Sequence, residues 1–296
     1  MKKRIELIYF ALLIAFTIYV CLDTFVIEKS YQKVDNSCGN TSTIENNTGS
    51  NDIVLNDTTY SDNNISITLK EYYENNTRIY VADVTIKDSS LLKTAFAKSS
   101  YGKNITEKTS TIANTVNAIL AINGDYYGVQ EKGYVLKNGV IYRNTAVSNK
   151  EDLVIYKDGS FEIINESDIT LEELLDSGAY NVLSFGPALV ENSKVSVREN
   201  EEVGKAMASN PRTAIGIIGD NHYVFVVSDG RTNESEGLSL YELAEFMEDL
   251  GCTTAYNLDG GGSSTMYFNG EVINNPTTNG NRISERSISD IVYVGY

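Results

Sequence analysis

Four short runs of the sequence combine carboxylates, arginines and glycines at the ends of apolar, strand-like segments. Aspartates in such positions can act as a nucleophile or a general base, and arginines can grip an oxyanion through two parallel hydrogen bonds. Rigid strand ends are also suitable places to present groups to a ligand. The runs are AINGDYYG (121–128), NPRTAIGI (210–217), VVSDGR (226–231) and AYNLDGGGSSTMYF (255–268).

The last run contains three consecutive glycines between a carboxylate and a hydroxyl. Asp259 precedes Gly260, Gly261 and Gly262, and Ser263 follows them. A tight hairpin needs only one or two glycines, so three favour close approach of the backbone to a ligand, such as an anion held by N–H groups and hydroxyls. The run matches neither the P-loop nor the G-x-G-x-x-G pattern.

Each of the other runs also fits an ordinary turn when it is taken alone. Asn123, Gly124 and Asp125 can form a solvated Asn-Gly turn after a strand. Arg212 can be a surface arginine at a strand start. Asp229 and Arg231 can flank an exposed Asp-Gly turn. The four runs therefore predict a site only if the fold brings them together.

Composition excludes several classes of protein. The single histidine, His222, lies in a turn without a nucleophile motif, and three cysteines without metal spacing give no zinc site. The formal net charge of −16 argues against a nucleic-acid partner. A functional site must therefore use carboxylates, arginines, hydroxyls, amides and backbone groups.

The N-terminal segment, residues 1–27, is predicted to be a transmembrane helix. Lys2, Lys3 and Arg4 precede an apolar stretch that runs from Ile5 to Ile27, long enough as a helix to cross a hydrocarbon core of about 30 Å. Basic residues before it favour a cytoplasmic N-terminus and a single-pass protein with an extracytoplasmic domain. A cleaved signal peptide is the alternative, but no small-x-small cleavage site precedes the end of the stretch.

Residues 28–62 are rich in Asn, Thr, Ser and Asp and are predicted to be a flexible tether. Residues 63–296 show alternating apolar patterns, with hairpins expected at Asn138-Gly139 and Asp158-Gly159. The clearest helix is SLYELAEFMEDLG, with an S-x-x-E capping box. The expected fold is one α+β domain with a mixed, hairpin-rich sheet and few helices, preceded by the N-terminal transmembrane helix.

The four runs, in this order and together with SFGPALV (184–190) and SERSISD (284–290), resemble the phosphodiester glycosidase family. The resemblance covers about residues 60–296. It implies hydrolysis of a sugar C1–O–phosphodiester, with an envelope glycan or lipid-linked glycan as the phosphorylated substrate.

The resemblance also implies roles for individual residues. The catalytic set is Asp259, Asp125 and Asp229, with Asp259 the first candidate for nucleophile or base and Asp125 the second. The substrate- and phosphate-binding set is Asn123, Gly124, Arg212, Arg231, Gly260, Gly261, Gly262, Ser263 and Arg286. No cofactor is required, although clustered carboxylates can hold a divalent cation such as calcium.

Two other functions fit the same residues. A non-catalytic glycan-binding or exopolysaccharide assembly protein of the cell envelope would use the same pocket without turnover. A purely structural spacer is disfavoured, because three glycines and polar strand ends would cost stability without a purpose.

Overall fold

The computed structural model describes residues 2–34, 53–200, 209–278, 280 and 282–296. The helices are α1 (Lys2–Phe25), α2 (Thr109–Thr115), α3 (Leu171–Asp176) and α4 (Leu240–Asp249). The strands are β1 (Lys29–Lys33), β2 (Val54–Leu55), β3 (Thr59–Ser61), β4 (Ile65–Glu74), β5 (Thr77–Ile86), β6 (Leu92–Phe96), β7 (Ser100–Lys103), β8 (Glu107–Lys108), β9 (Leu120–Asn123), β10 (Val135–Lys137), β11 (Val140–Arg143), β12 (Glu151–Tyr156), β13 (Phe161–Asn165), β14 (Ala179–Leu183), β15 (Ala188–Glu191), β16 (Lys194–Val195), β17 (Thr213–Gly219), β18 (His222–Ser228), β19 (Thr254–Asn257), β20 (Met266–Phe268), β21 (Glu271–Val272), β22 (Thr277–Thr278), β23 (Arg282–Ile283), β24 (Ser287–Ile288) and β25 (Asp290–Val294).

Two large sheets form the body of the domain. One has nine strands in the order β16-β15-β19-β17-β18-β5-β4-β3-β2, and the other has five in the order β21-β20-β9-β25-β6. Within the described residues, every ladder is antiparallel. The expected β-rich domain with few helices is confirmed, but its sheets are antiparallel and not mixed. Hairpin connections need only short turns, which explains why antiparallel pairing dominates.

The main apolar core lies between these two sheets. Ile67, Ala82 and Phe225 contribute from the nine-stranded sheet, and Ile122 and Val292 contribute from the five-stranded sheet. A second cluster buries one face of α4 against the outer side of the large sheet. The two sheets thus form a rigid frame, and their strand ends can hold side chains at fixed positions.

Local signals from the sequence are confirmed at the turns and helix ends. Asn138 and Gly139 adopt positive φ angles of 51° and 77° between β10 and β11. The capping box of α4 is present, since the Ser239 side chain accepts from the Glu242 N–H while Glu242 bonds back to Ser239. Such a cap contributes about 1 kcal/mol of helix stability.

The predicted tether differs from the structure at both of its ends. Strand β1 pairs with β7, and β2 and β3 extend the nine-stranded sheet beyond β4. Residues 35–52 of that segment lie outside the described residues. The folded part therefore begins before residue 63, because backbone pairing does not require apolar side chains.

Helix α1 is long and apolar enough to cross a membrane. Its span, Lys3–Phe25, has a mean hydropathy of 2.3 and none of it is buried within the protein. Exposure of so much apolar surface is unfavourable in water, which is consistent with a signal sequence or a membrane anchor.

Candidate active site

The glycine loop, residues 260–262, leaves the end of β19 and meets the end of β9 from the other large sheet. Asn123 joins the two sheets there, because its Nδ2 donates to the Asp259 carbonyl at 2.6 Å. Its Oδ1 accepts from the Thr213 hydroxyl at 2.8 Å and from the Thr265 N–H at 3.2 Å. Asn123 is fully buried, so its amide holds the base of the loop in one position.

Each glycine of the loop lies against one of three arginine-bearing segments. A methyl group on Gly260 would lie 2.9 Å from the Pro211 carbonyl oxygen, immediately before Arg212. On Gly261 it would lie 2.8 Å from Nη2 of Arg231, and on Gly262 it would lie 2.9 Å from Nη2 of Arg286. The structure therefore brings the three arginines together around the loop, and the absence of a Cβ makes room for them.

The N–H groups of the loop are less open than the sequence suggests. The Gly261 N–H donates to the Pro211 carbonyl at 2.8 Å, and the Ser263 N–H donates to the Gly260 carbonyl at 3.3 Å. These two donors are engaged within the protein and are not free for an anion. Gly261 and Gly262 instead leave room for the guanidinium groups of Arg231 and Arg286.

Arg231 is held in place from several sides. Its Nε and Nη2 donate to Oδ1 of Asn210 at 3.2 and 2.9 Å. Its backbone has a φ of 63°, a region that costs energy for any residue other than glycine, which indicates strain at this point. Burial, and then the charges of Arg286 and Arg212, lower the pKa of Arg231. The three guanidinium groups therefore repel one another.

Arg212 is buried and fixed by the backbone. It is 3% exposed, its Nε donates to the Leu238 carbonyl at 2.8 Å, and its N–H donates to the Ser228 hydroxyl at 2.9 Å. Arg286 is exposed, but its N–H donates to the Gly262 carbonyl at 3.1 Å. One arginine is thus preorganised in the core and another can adjust at the surface.

Asp259 is the carboxylate directly before the glycine loop; it is partly exposed and near enough to Arg286 for the two charges to interact. Desolvation by the surrounding protein raises its pKa to about 6, although the Ser263 hydroxyl, Arg286 and the Gly260 N–H oppose the rise. A carboxylate with such a pKa is ionised at neutral pH and is still basic enough to accept a proton.

Asp125 is buried behind the loop. The hydrogen bonds described for its side chain are all to other groups of the protein. Its Oδ1 accepts from the Tyr127 N–H at 2.9 Å. Its Oδ2 accepts from Lys137 Nζ at 3.0 Å and from the Ser184 N–H at 3.1 Å. These contacts suit a residue that positions the strand end better than one that attacks a substrate.

Lys137 and Asp290 complete a buried triad with Asp125, and sequence reasoning assigned no role to either. Lys137 Nζ lies 2.7 Å from Asp290 Oδ2, and both side chains are buried. Burial alone would lower the pKa of Lys137, but the two carboxylates outweigh it and the pKa is raised. Desolvation, followed by the charge of Asp125, raises the pKa of Asp290 to about 7, while Lys137 opposes the rise. In the sequence Lys137 directly precedes the Asn138-Gly139 turn, a position that indicates an exposed side chain and not one paired with two buried carboxylates.

Asp229 lies beside the cluster, but both of its carboxylate oxygens accept hydrogen bonds from a loop. Its Oδ1 accepts from the Asn275 N–H at 2.8 Å and from Asn274 Nδ2 at 3.3 Å. Its Oδ2 accepts from Asn275 Nδ2 at 3.2 Å and from the Tyr80 hydroxyl at 3.4 Å. Asp229 therefore anchors the segment that leads to Thr277 and Thr278.

Three arginines give the site the character of an anion pocket. In the part of the chain that the structure describes, no three His, Cys, Asp or Glu side chains are arranged to hold a metal ion. His222 pairs with Asp83, Nε2 to Oδ1 at 2.8 Å, at the turn where it was expected. Whether a divalent cation such as calcium can bind here stays a prediction.

Solved structures with the same fold include two that cover most of this chain. The zebrafish structure titled N-acetylglucosamine-1-phosphodiester alpha-N-acetylglucosaminidase catalytic domain auto-inhibited by pro-peptide has a TM-score of 0.62 and 20% identity, and the match covers 78% of this chain and 83% of that one. A hypothetical protein from Synechocystis has a TM-score of 0.54 and 15% identity, with 78% and 62% covered.

Curated relatives are found in bacteria and mammals. The SPbeta prophage-derived uncharacterized protein YomE of Bacillus subtilis strain 168 is 28% identical over 236 residues, which are 73% of this chain and 36% of that protein. The N-acetylglucosamine-1-phosphodiester alpha-N-acetylglucosaminidase of Mus musculus is 27% identical over 175 residues, 53% of this chain and 33% of that protein. The chain thus spans about a third of the length of these relatives. The family model described as phosphodiester glycosidase matches residues 116–295, more than half of the chain. This chain therefore belongs to the phosphodiester glycosidase family.

Proposed function

We propose that this protein is a hydrolase that cleaves the bond between the anomeric carbon of a sugar and the oxygen of a phosphodiester. The observation that carries the proposal is a partly exposed carboxylate, Asp259, directly before a glycine loop that three arginine-bearing segments surround, with Arg286 near enough to act on its charge. The Mus musculus relative is named for a glycosidase activity on an N-acetylglucosamine-1-phosphodiester, which supports the same reaction.

The arginine cluster is the proposed phosphate site. Three guanidinium groups that repel one another gain stability when an anion lies between them, and their charges oppose the repulsion that a protein of net charge −16 exerts on an anion. Arginine also matches the geometry of phosphate oxygens through two parallel hydrogen bonds.

Asp259 is the proposed base or nucleophile at the anomeric centre. As a base it takes a proton from water while the water oxygen bonds to the anomeric carbon. The bond from that carbon to the phosphate oxygen breaks, and its electron pair leaves with the phosphate. As a nucleophile, Asp259 would first form a glycosyl ester, which water then hydrolyses.

The leaving group needs little help from an acid. A phosphomonoester has a second pKa of about 6, so its oxygen departs as a stable anion near neutral pH. The arginines stabilise that developing charge in the transition state. In this proposal the buried triad of Lys137, Asp290 and Asp125 holds the strand end in place and does not touch the substrate.

The test uses the full chain in detergent with a synthetic glycosyl phosphodiester of a short alcohol. Free sugar and phosphomonoester should appear in equal amounts, and Asp259→Asn should reduce turnover by at least about 100-fold. Asp220→Asn, at an exposed turn, is the matched control. Saturable binding without product would refute hydrolysis and favour the glycan-binding alternative, whereas full activity of Asp259→Asn would refute the assigned site.

The proposal places the domain outside the cytoplasm with α1 as a single-pass anchor. The basic residues before α1 favour that orientation. Protease added to intact cells should degrade the domain and leave a short N-terminal fragment in the membrane. Complete protection of the domain would contradict the orientation.

A further inference from the structure

The segment that follows α1 is part of the folded domain. Strand β1 pairs with β7 in a register that runs from Lys29 opposite Lys103 to Lys33 opposite Ser100. The Asn104 side chain then ties the end of the helix to the same place, since its Nδ2 donates to the Thr24 carbonyl at 3.2 Å and to the Ile27 carbonyl at 3.1 Å. The helix end and the domain are thus joined by direct contacts, with no loose connection between them.

The same segment packs on aromatic side chains that reach the candidate site. The rings of Tyr31 and Tyr101 lie 6.0 Å apart between centroids, and Tyr101 stacks on Tyr127 at 5.5 Å with an interplanar angle of 21°. Val34 packs against the same cluster. Tyr127 in turn donates its N–H to Asp125 at 2.9 Å. Three packed side chains therefore connect the juxtamembrane strand to the buried triad.

Sheet topology places the helix end and the candidate site at one end of the domain. In the five-stranded sheet, Asn123 pairs with Ile291, and the adjacent Asp290 pairs with Phe96. Phe96 is the last residue of β6, and the chain turns there directly into β7, which carries the juxtamembrane strand. The end of β9 and the start of β25 at the site are thus close to the strand that leads to the helix.

The distance from the helix end to the site is short. The Asn104 N–H donates to the Gly128 carbonyl at 3.3 Å, so one residue contacts both the helix end and the site segment. Gly128 is three residues from Asp125, which puts their Cα atoms at most about 11 Å apart, and the neighbouring Gly124 carbonyl accepts from the Asp259 N–H at 3.4 Å. A headgroup layer is about 5–8 Å thick on each side of the hydrocarbon core, so a phosphate at the lipid surface lies within a similar range.

Exposed apolar groups on these segments suit contact with lipid. Tyr31 is 63% exposed, Tyr126 is 44% exposed and Val129 is 42% exposed. Tyrosine is enriched where a protein meets the headgroup region, because its ring is apolar and its hydroxyl is polar. Helix α1, which ends six residues before Tyr31, is likewise unburied along its apolar length.

We propose that the second alcohol of the substrate phosphodiester is a membrane lipid, and that the contacts of β1 and Asn104 hold the cleft at the bilayer surface to reach it. This inference rests on the proposed hydrolase activity and adds the class of aglycone. A domain fixed at the surface meets lipid-linked phosphodiesters at a high effective concentration, whereas it gains nothing for a soluble one.

The experiment compares two substrates with the full chain reconstituted in vesicles. Both carry the same sugar and phosphate, but one is an ester of a long-chain polyprenol within the vesicle and the other is a soluble methyl ester. Wild-type protein should turn over the polyprenyl substrate faster by roughly 10-fold or more. A ten-residue Gly/Ser insertion between Ile27 and Glu28 adds a flexible linker with an end-to-end distance of roughly 17 Å, so the domain is no longer held at the end of the helix. It should remove most of that preference and leave the methyl ester unaffected.

A substitution tests the hydrogen bonds from Asn104 to the end of the helix without lengthening the chain. Asn104→Gly removes the side-chain amide and tolerates the φ of 59°, while Asn117→Gly is the control at a φ of 51° elsewhere. Only Asn104→Gly should lower turnover of the polyprenyl substrate. Equal wild-type rates on both substrates, or equal losses on both in the insertion variant, would overturn the lipid inference. Absence of turnover on either substrate by the wild type would instead overturn the proposed hydrolase.

Discussion

Asp259→Asn should stabilise the protein above pH 6 while it abolishes activity. The carboxylate has a pKa of about 6 in the folded state against an ordinary value of 3.8. Because the folded pKa is the higher one, ionised Asp259 destabilises the native state. The cost is absent below about pH 3, where the group is protonated in both states, and it grows between there and about pH 6. Above that it stays constant.

The size of the effect follows from the two pKa values. A difference of about 2 pH units corresponds to about 3 kcal/mol at 1.36 kcal/mol per unit. Asp259 is partly exposed, so solvent screening reduces the expected gain to about 1–2 kcal/mol. Activity should rise with pH through about 6, since the ionised form is the base.

Urea unfolding at pH 4, 5, 6, 7 and 8 measures the effect, with Asp220→Asn as the exposed control. The free energy of unfolding of Asp259→Asn should be closest to that of the wild type at pH 4 and should exceed it by more at pH 7. A loss of stability at pH 7, or a difference that does not change with pH, would refute the reasoning that desolvation dominates at this carboxylate.

Three further predictions follow from other contacts. Gly262→Ala should displace the nearby Arg286 guanidinium and so raise KM for the phosphodiester by about 10-fold or more, with a change in the free energy of unfolding below about 1 kcal/mol. Gly219→Ala, whose new methyl group would lie in open space, should change neither KM nor stability. A large drop in melting temperature for Gly262→Ala would count against this prediction. Lys137→Met should lower the free energy of unfolding by about 3–5 kcal/mol, because the buried carboxylates of Asp125 and Asp290 lose their partner. An unchanged free energy of unfolding in urea would show that the triad is not ionised. A fragment of residues 63–296 should melt below one of residues 28–296, because it lacks three paired strands; equal melting temperatures would mean that this pairing contributes little.

The features that sequence predicted well are those with local causes. Asn-Gly and Asp-Gly turns require positive φ angles, and these pairs mark the hairpins at 138–139 and 158–159. The capping box at Ser239 marks the start of α4. The glycine loop was also recognised, although it packs against the arginines more than it presents N–H groups to a ligand.

The features that sequence missed depend on contacts between distant segments. Helix α2 has the sequence TSTIANT, which is poor in strong helix formers, and it is held by burial of Ile112 and Ala113. Strand β1 has no apolar alternation because it is held by backbone pairing. The burial of Lys137 depends on Asp290, which lies more than 150 residues away in the sequence, and no local pattern reports it.

The interlocking of the loop with the arginines also constrains how this pocket can vary. The guanidinium groups of Arg231 and Arg286 fill the space next to Gly261 and Gly262, where the Thr278 hydroxyl also lies, so each of these glycines depends on the arginine beside it. Alanine at Gly262 and alanine at Arg286 should therefore combine with a penalty smaller than the sum of the two. A related chain with a side chain in place of Gly262 would have to bring its third positive charge to the pocket by another route.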